Sequence, residues 1–409
     1  MKRRLFRRSL SLLALALIFA LGAASNLSIF AQSRRQPPTA NDKKNKRPDP
    51  NQPGDEQKEK PPTDIVGKPQ EAETVTVTTN LVNVDAVVYN KKSGQIINGL
   101  KKENFAIFED GVKQDITYFS TPEAPITVTL LVEYSKLSET LGLYGNGGFE
   151  AGQMETIRPM AMFLSQFVKP PDDYVSVIAY DLRPTTLTDF TNDPRRIQQV
   201  ISLLLQNQPA FRDSNLFDSI AFTLVGGRGD AVVLEDSKES KAEYGGLASV
   251  KGRRTAMILV ASGINTFSKI NYDKTRKIAQ NAGVPIYIIG TGNLFFKKYG
   301  DQLGATDDLL GNPGRLTFLQ AQNQLNVFAK ETGGAYYPIT FDGDIPSALK
   351  SINALLRSQY SLGFKPPDIH DGKSHKIVVK VDVDGDGTYD DKQYVVQARE
   401  YYNAPKDNK

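Results

Sequence analysis

Two acid-bearing stretches have the residue types and spacing to hold a cation. In ITVTLLVEYSKLSET, residues 126–140, an apolar run ends at Glu133 and is followed by Ser135 and Ser138. A strand of this kind delivers one carboxyl and two hydroxyls to the end of a sheet, and hard oxygen donors are what Mg²⁺ and Ca²⁺ take. In VDVDGDGTYDDKQ, counted from Asp382, acids stand at positions 1, 3, 5 and 9 as Asp382, Asp384, Asp386 and Asp390. Gly387 falls at position 6, and Thr388 at position 7 offers its backbone carbonyl. This is the spacing of a calcium loop, in which Gly permits the sharp turn. Position 12 is Gln393, so the bidentate Glu is missing and Asp391 is the candidate substitute. The competing reading is a bare Asp-Gly hairpin turn between HKIVVKV and QYVVQA. Four carboxylates in nine residues repel one another in such a turn, which raises the weight of Ca²⁺, held at about the millimolar affinity of extracellular modules.

The other reactive residue types offer less. Cysteine is absent, so thiolate catalysis and a lipid-anchored cysteine are excluded, and an exported chain would need a core large enough to fold without disulfides. His370 and His375 both read as solvated loop residues before a C-terminal strand. Ser374, His375 and Asp371 are neighbours in sequence, which is not triad geometry, and no Gly-x-Ser-x-Gly elbow is present. Arg228-Gly229-Asp230 is a common tripeptide in what reads as a long loop, residues 226–252. GTGNLFF, residues 290–296, follows a strand but lacks the third Gly and the Lys-Ser/Thr of nucleotide sites.

The elements that must position these residues follow from periodicity. Residues 74–121 alternate apolar and polar side chains and read as three or four strands, with a turn at EDGVKQ. QYSLGF, HKIVVKVDV and KQYVVQAREYY alternate in the same way near the other end. A few strands alone bury too little to be stable, so the two flanks are expected to form one β-sandwich, residues 74–121 with 361–403. Between them, residues 122–360 alternate near-continuous apolar strands with amphipathic helices. Asp193 before Pro194, and Ser214 before NLFD, read as helix N-caps, and Gly283 and Gly333 as C-terminal stops. The pattern predicts an α/β unit with a mostly parallel sheet covered on both faces, whose ligands bind at the carboxyl ends of the strands.

The first 31 residues have the order of a secretory signal peptide: five Lys/Arg in eight residues, an apolar stretch from Leu10 to Leu21, then small residues. The apolar core is shorter than the roughly 20 residues of a spanning helix, so cleavage near Ala24 or Ala31 is expected, with a membrane tether only if the segment stays uncleaved. Residues 32–73 are polar and Pro/Lys-rich, and are expected to form a disordered linker. Residues 1–75 hold 14 basic and 8 acidic residues, leaving 36 and 38 in the remainder, a net of −2. That balance gives nucleic acid no footprint. Residues 404–409 read as a tail.

The stretches GLKKENFAIFEDGVKQDITYFS, YSLGFKPP and VQAREYY, with the strand ending at Glu133, resemble the von Willebrand factor type A family, and most closely its acidobacterial VWFA-related group, over residues 74 to about 403. The resemblance implies a Rossmann-like domain with a metal-ion-dependent adhesion site. That site consists of an Asp-x-Ser-x-Ser loop after the first strand, a Thr before the third helix and an Asp after the fourth strand. Here the first Asp is Glu133, the first Ser is Ser135, the second Ser falls on Leu137, the Thr on Ser214 and the last Asp on Ser262. Glutamate displaces the carboxyl by a methylene and hydroxyls do not restore the lost charge, so tight Mg²⁺ or Mn²⁺ binding is not expected. The residues favour Glu133 capping its strand end and bonding to the following turn.

Together these features predict an exported, non-enzymatic protein-binding module of the adhesion type, periplasmic, cell-surface or secreted, with a degenerate metal site at Glu133, Ser135, Ser214 and Ser262. The alternative is a hydrolase or other metal-assisted enzyme at the same top-of-sheet position. The partner is an unidentified protein.

Overall fold

The computed structural model describes residues 81–136, 152–206, 209, 211–231, 241–309, 311–341, 343–367 and 371–404, without the side chains of 152–156 and 241. These belong to one of the two units into which the chain divides, Val75–Lys409. The predicted signal segment, the linker, the alternating run 74–80, Leu137, Ser138, His370 and residues 405–409 lie outside the described residues.

The continuous apolar run at the centre becomes β5 (Ile126–Glu133), buried at all eight positions. Around it lies an eight-stranded sheet made with β6 (Tyr174–Tyr180), β7 (Pro184–Thr191), β8 (Gly227–Ala231), β9 (Lys241–Tyr244), β10 (Arg254–Ala261), β11 (Ile286–Gly290) and β12 (Tyr336–Pro338). Its order is β12-β11-β10-β5-β6-β7-β8-β9. The strands from β12 to β6 are parallel, while β7 runs antiparallel to β6 and β9 antiparallel to β8. Successive side chains on a strand point to opposite faces, so a run buried throughout needs helices on both sides. One apolar cluster joins Val128, Leu130 and Val132 to α1 (Gly152–Phe167), α2 (Pro194–Gln206) and α7 (Asp344–Leu356). A second joins Leu131, Met257 and Leu259 to α3 (Leu216–Val225), α4 (Tyr272–Ala282) and α6 (Arg315–Thr332). The short α5 (Gly292–Tyr299) follows β11.

Helix ends obey local chemistry. Asp193 accepts from Arg195 N at 2.9 Å ahead of Pro194, as expected of a cap. Helix α4 ends on Gly283 and α6 on Gly333, both left-handed. Ser214 is not the cap of α3: Asn215 holds that position. Segment 226–252 is not one long loop either, because β8 and β9 form in it and extend the sheet edge. The Arg228-Gly229-Asp230 tripeptide is therefore strand, with Asp230 ion-paired to Arg183 at 3.3 Å.

The flanks interleave. β1 (Val82–Asn90), β4 (Ile116–Ser120), β13 (Tyr360–Phe364) and β15 (Tyr394–Ala398) make an antiparallel sheet in the order β15-β1-β13-β4. β2 (Phe105–Glu109), β3 (Val112–Gln114), β14 (Ser374–Val381) and β16 (Tyr401–Asn403) make another, in the order β16-β14-β2-β3. Each sheet mixes strands from both flanks, and one apolar cluster draws on both: Val84, Val88 and Leu362 from the first, Phe105, Ile107 and Ile377 from the second. Asp110 and Gly111, both at positive φ, close the β2–β3 hairpin in the primed-turn geometry that matches strand twist.

Candidate functional site

The chain leaves β5 toward β6 on one side and returns through β10 on the other, so β5 and β10 flank the point where strand order reverses. In open α/β sheets this is where ligands bind. Glu133 ends β5 and Ser262 follows β10, each about 1% exposed. Glu133 Oε2 accepts the backbone N–H of Ser262 at 2.6 Å, and Oε1 accepts the Ser135 hydroxyl at 3.2 Å. The extra methylene of Glu relative to Asp carries the carboxyl across to the neighbouring strand end. There it serves a donor that the sheet ladder leaves over. The turn after β5 is held by Tyr134 N to Tyr180 O and Lys136 N to Phe211 O, both 2.7 Å.

Ser214 is fully buried in the adjoining loop. Its N–H donates to Thr266 Oγ1 at 2.8 Å, and its carbonyl accepts from Thr266 N at 2.9 Å and Phe267 N at 3.2 Å. Its hydroxyl has no hydrogen-bond partner. Thr291, after β11, donates its N–H to Ala261 O at 2.9 Å, and its buried hydroxyl is likewise unpartnered. Gly292 lies so close that a Cβ there would stand 2.4 Å from Ser262 O. The structure thus joins Glu133, Ser135 and Ser262 directly and sets Ser214 in the next loop through its backbone.

Sequence reasoning missed the network that fixes those loops. Asp218 accepts from Lys269 N and Ile270 N at 3.0 to 3.1 Å, and Ser268 donates to Asn215 Oδ1 at 2.8 Å. Asn265 accepts from Leu216 N at 3.1 Å. The signal was present as two dense polar runs, DSN before α3 and NTFS after β10, which nothing local marks as mutual partners. Burial also raises the Asp181 carboxyl above its ordinary range at the end of β6.

Among the described residues, the donors at Glu133, Ser135, Ser214 and Ser262 fit Mg²⁺ poorly. They offer one carboxyl, with both oxygens already accepting hydrogen bonds, and neutral hydroxyls, whereas Mg²⁺ demands near-octahedral oxygens at about 2.0–2.1 Å. Among the described residues, one group of three acidic or other metal-ligating side chains comes together, and it lies elsewhere: oxygens of Asp382, Asp384 and Asp390 fall within 4.8 Å of one another. Asp382 also accepts Gly385 N and Gly387 N at 2.8 Å, and Asp390 accepts Val383 N at 2.8 Å. Asp386 is outside this group. It turns to Thr388, whose N–H donates at 2.7 Å and whose hydroxyl bond helps hold the Asp386 carboxyl below its usual range. Asp391 also stands outside this group and pairs with Lys380 at 2.7 Å.

His375 is not a solvated loop residue. It is the second residue of β14, 7% exposed, with Nδ1 2.8 Å from Asp110 and Nε2 3.4 Å from Asp371, stacked on Tyr402. Burial alone would lower its pKa, but the two carboxylates outweigh burial and raise it.

No family model and no curated protein matches the chain. Solved structures similar to it include an aerotolerance-related membrane protein from Bacteroides fragilis (15% identity, 56% of this chain and 98% of that chain, TM-score 0.35). Another is the vWF domain of the type V pili tip protein Mfa5 from Porphyromonas gingivalis (12%, 57% and 95%, TM-score 0.38). A third is proximal thread matrix protein 1 from the mussel byssus, with a zinc-occupied MIDAS motif (10%, 61% and 49%, TM-score 0.37). At such scores a likeness assigns neither a role nor a residue. No helix among the described residues is long and apolar enough to cross a membrane.

Proposed function

We propose that this chain is an exported protein-binding module of the von Willebrand factor A type, of the acidobacterial VWFA-related group, carried on a β-sandwich built from both flanks. In this reading its adhesion face works without a tightly held Mg²⁺ or Mn²⁺. The observation that supports it is the Glu133 carboxyl bonded to Ser262 N at 2.6 Å and to the Ser135 hydroxyl, so that the acid ending β5 directs both of its oxygens to hydrogen-bond donors of the protein. Partner contact then falls to the surrounding surface. Phe211 and Phe267 are 46% and 50% exposed on the two loops tied to this site, and large aromatics of this kind anchor protein interfaces. A hydrolase at the same position is the weaker reading, because His375 is committed between two carboxylates far along the chain and no thiol is present.

The Asp382, Asp384 and Asp390 group supports a second, structural role for Ca²⁺ in the flanking sheets, where an ion would offset carboxylate repulsion in the β14–β15 connection. The signal segment, residues 1–31, would be removed and residues 32–73 would tether the folded part to its place in the periplasm or at the cell surface. Thermal melts of the chelated full chain test both metal assignments. Ca²⁺ should raise the midpoint and Mg²⁺ and Mn²⁺ should not, since only an ion that binds the folded state stabilises it.

A further inference from the structure

Helices α1 and α7 pack against each other over one face of the large sheet, and between them lies a groove of about 730 Å³ that shares no residue with the Glu133 site. Its walls follow helical spacing. On α1 the pairs Arg158/Met162 and Phe163/Phe167 stand four residues apart, and α7 contributes Leu349, Lys350 and Asn353. Phe163, Phe167 and Leu349 are buried, while Met162 is 55% exposed and its flexible thioether suits an apolar occupant. The aromatic part is preformed. Phe163 and Phe167 stack with ring centroids 5.0 Å apart, and the Arg357 guanidinium lies 4.6 Å over the Phe167 ring while it pairs with buried Asp173 at 2.6 Å. A fixed, concave, mostly apolar cavity of this size, with a few convergent polar groups, is the form that small-molecule sites take.

The polar groups at the groove ask for a ligand of definite chemistry. Arg158 and Lys350 are exposed cations that no ion pair among the described residues includes, and no acidic residue lines the groove. Asn353 Oδ1 is buried there without a hydrogen-bond partner. A buried acceptor left unmet is costly, and a donor on a ligand would meet it. The α1 wall from Arg158 to Phe167 is about 13 Å long at the helical rise, some two and a half turns. That length gives a partner helix little to grip and suits one apolar chain.

We propose that the α1–α7 groove binds a single-chain anionic amphiphile. Its apolar chain lies over Met162, Phe163 and Leu349, its anionic head sits between Arg158 and Lys350, and an N–H or O–H beside the head donates to Asn353 Oδ1.

N-Dodecanoylglycine has all three features and is the probe, followed in the full chain by the methyl signals of the methionines. Below its micelle-forming concentration it should shift the Met162 signal saturably and leave Met257, fully buried in the central sheet, in place. Dodecyltrimethylammonium should bind at least about tenfold more weakly, because its head is repelled by the two cations, and Lys350→Glu should weaken N-dodecanoylglycine by a similar factor. Dodecanoate, which lacks the amide hydrogen, should bind the parent chain about threefold more weakly than the probe, a difference that Asn353→Leu should remove. No saturable shift at Met162, or equal binding of the cationic and anionic amphiphiles, would overturn the proposal without recourse to any substituted chain. Undiminished binding to Lys350→Glu would also overturn it. A Met162 shift that follows protein concentration with no amphiphile present would make the groove an interface between two copies and overturn it as well.

Discussion

At Glu133 one methylene separates two kinds of site. The shorter carboxylate of the resemblance would face a cation, while the longer side chain here reaches the N–H of Ser262 and makes the strand ends of β5 and β10 a hydrogen-bonded unit. Glu133→Ala should leave a buried N–H and a buried hydroxyl short of an acceptor and cost about 2–4 kcal/mol in denaturant unfolding. A loss under about 1 kcal/mol would show the bond to be incidental. The sequence places Glu133 at a strand end and predicts that it caps the following turn, which it does through Ser135. Its bond to Ser262 spans 129 residues and has no local trace. His375 was illegible for the same reason: two of its partners, Asp110 and Tyr402, are distant in the chain, and only the fold encloses it. Because its folded pKa is raised, its contribution to stability is full below the unfolded value of about 6.5 and fades as pH rises through the folded one. The stability gap between the parent and His375→Asn should therefore shrink from pH 5.5 to pH 8.5. A gap that widened would contradict the pairing with Asp110 and Asp371.

At the scale of elements, periodicity carried far. The continuous run of β5 and the amphipathic repeats of α2 and α4 depend on local pattern, and Gly283 and Gly333 stop their helices as Gly does when a left-handed residue is required. Segment 226–252 was opaque because GRGDA lacks alternation. Its strand character comes from pairing with β7 and β9, a tertiary effect. The β14–β15 connection was half legible: spacing named Asp382, Asp384 and Asp390, but side-chain bonding takes Asp386 to Thr388 and Asp391 to Lys380. Ca²⁺ should raise the thermal midpoint in a way that Asp384→Ala abolishes and Asp386→Ala only weakens. Equal loss in both would place Asp386 among the ligands. Gly387, at φ 90°, should cost about 1 kcal/mol or more when replaced by Ala, with or without Ca²⁺.

Across the whole molecule, the sequence pattern reads as an α/β unit between two runs of strands, and the structure adds how they join. The flanks do not form one sheet each but exchange strands, so the chain must close residues 82–120 onto 360–403 around the inserted unit. One guanidinium at Arg254 secures both connections to that unit, residues 121–125 and 357–359. Arg254→Met should cost about 3 kcal/mol, by stranding several carbonyls at once, and should render residues 121–125 sensitive to protease in the otherwise folded chain. Wild-type protease resistance there would show that packing, not Arg254, holds the connections. The central claim remains that the top face works through a hydrogen-bonded Glu133 and not through an ion. The most direct measurement is the thermal midpoint of the chelated chain on adding Mg²⁺ or Mn²⁺. No rise is predicted for either ion. A rise that Glu133→Ala removes would contradict this account and restore metal-dependent adhesion at that face.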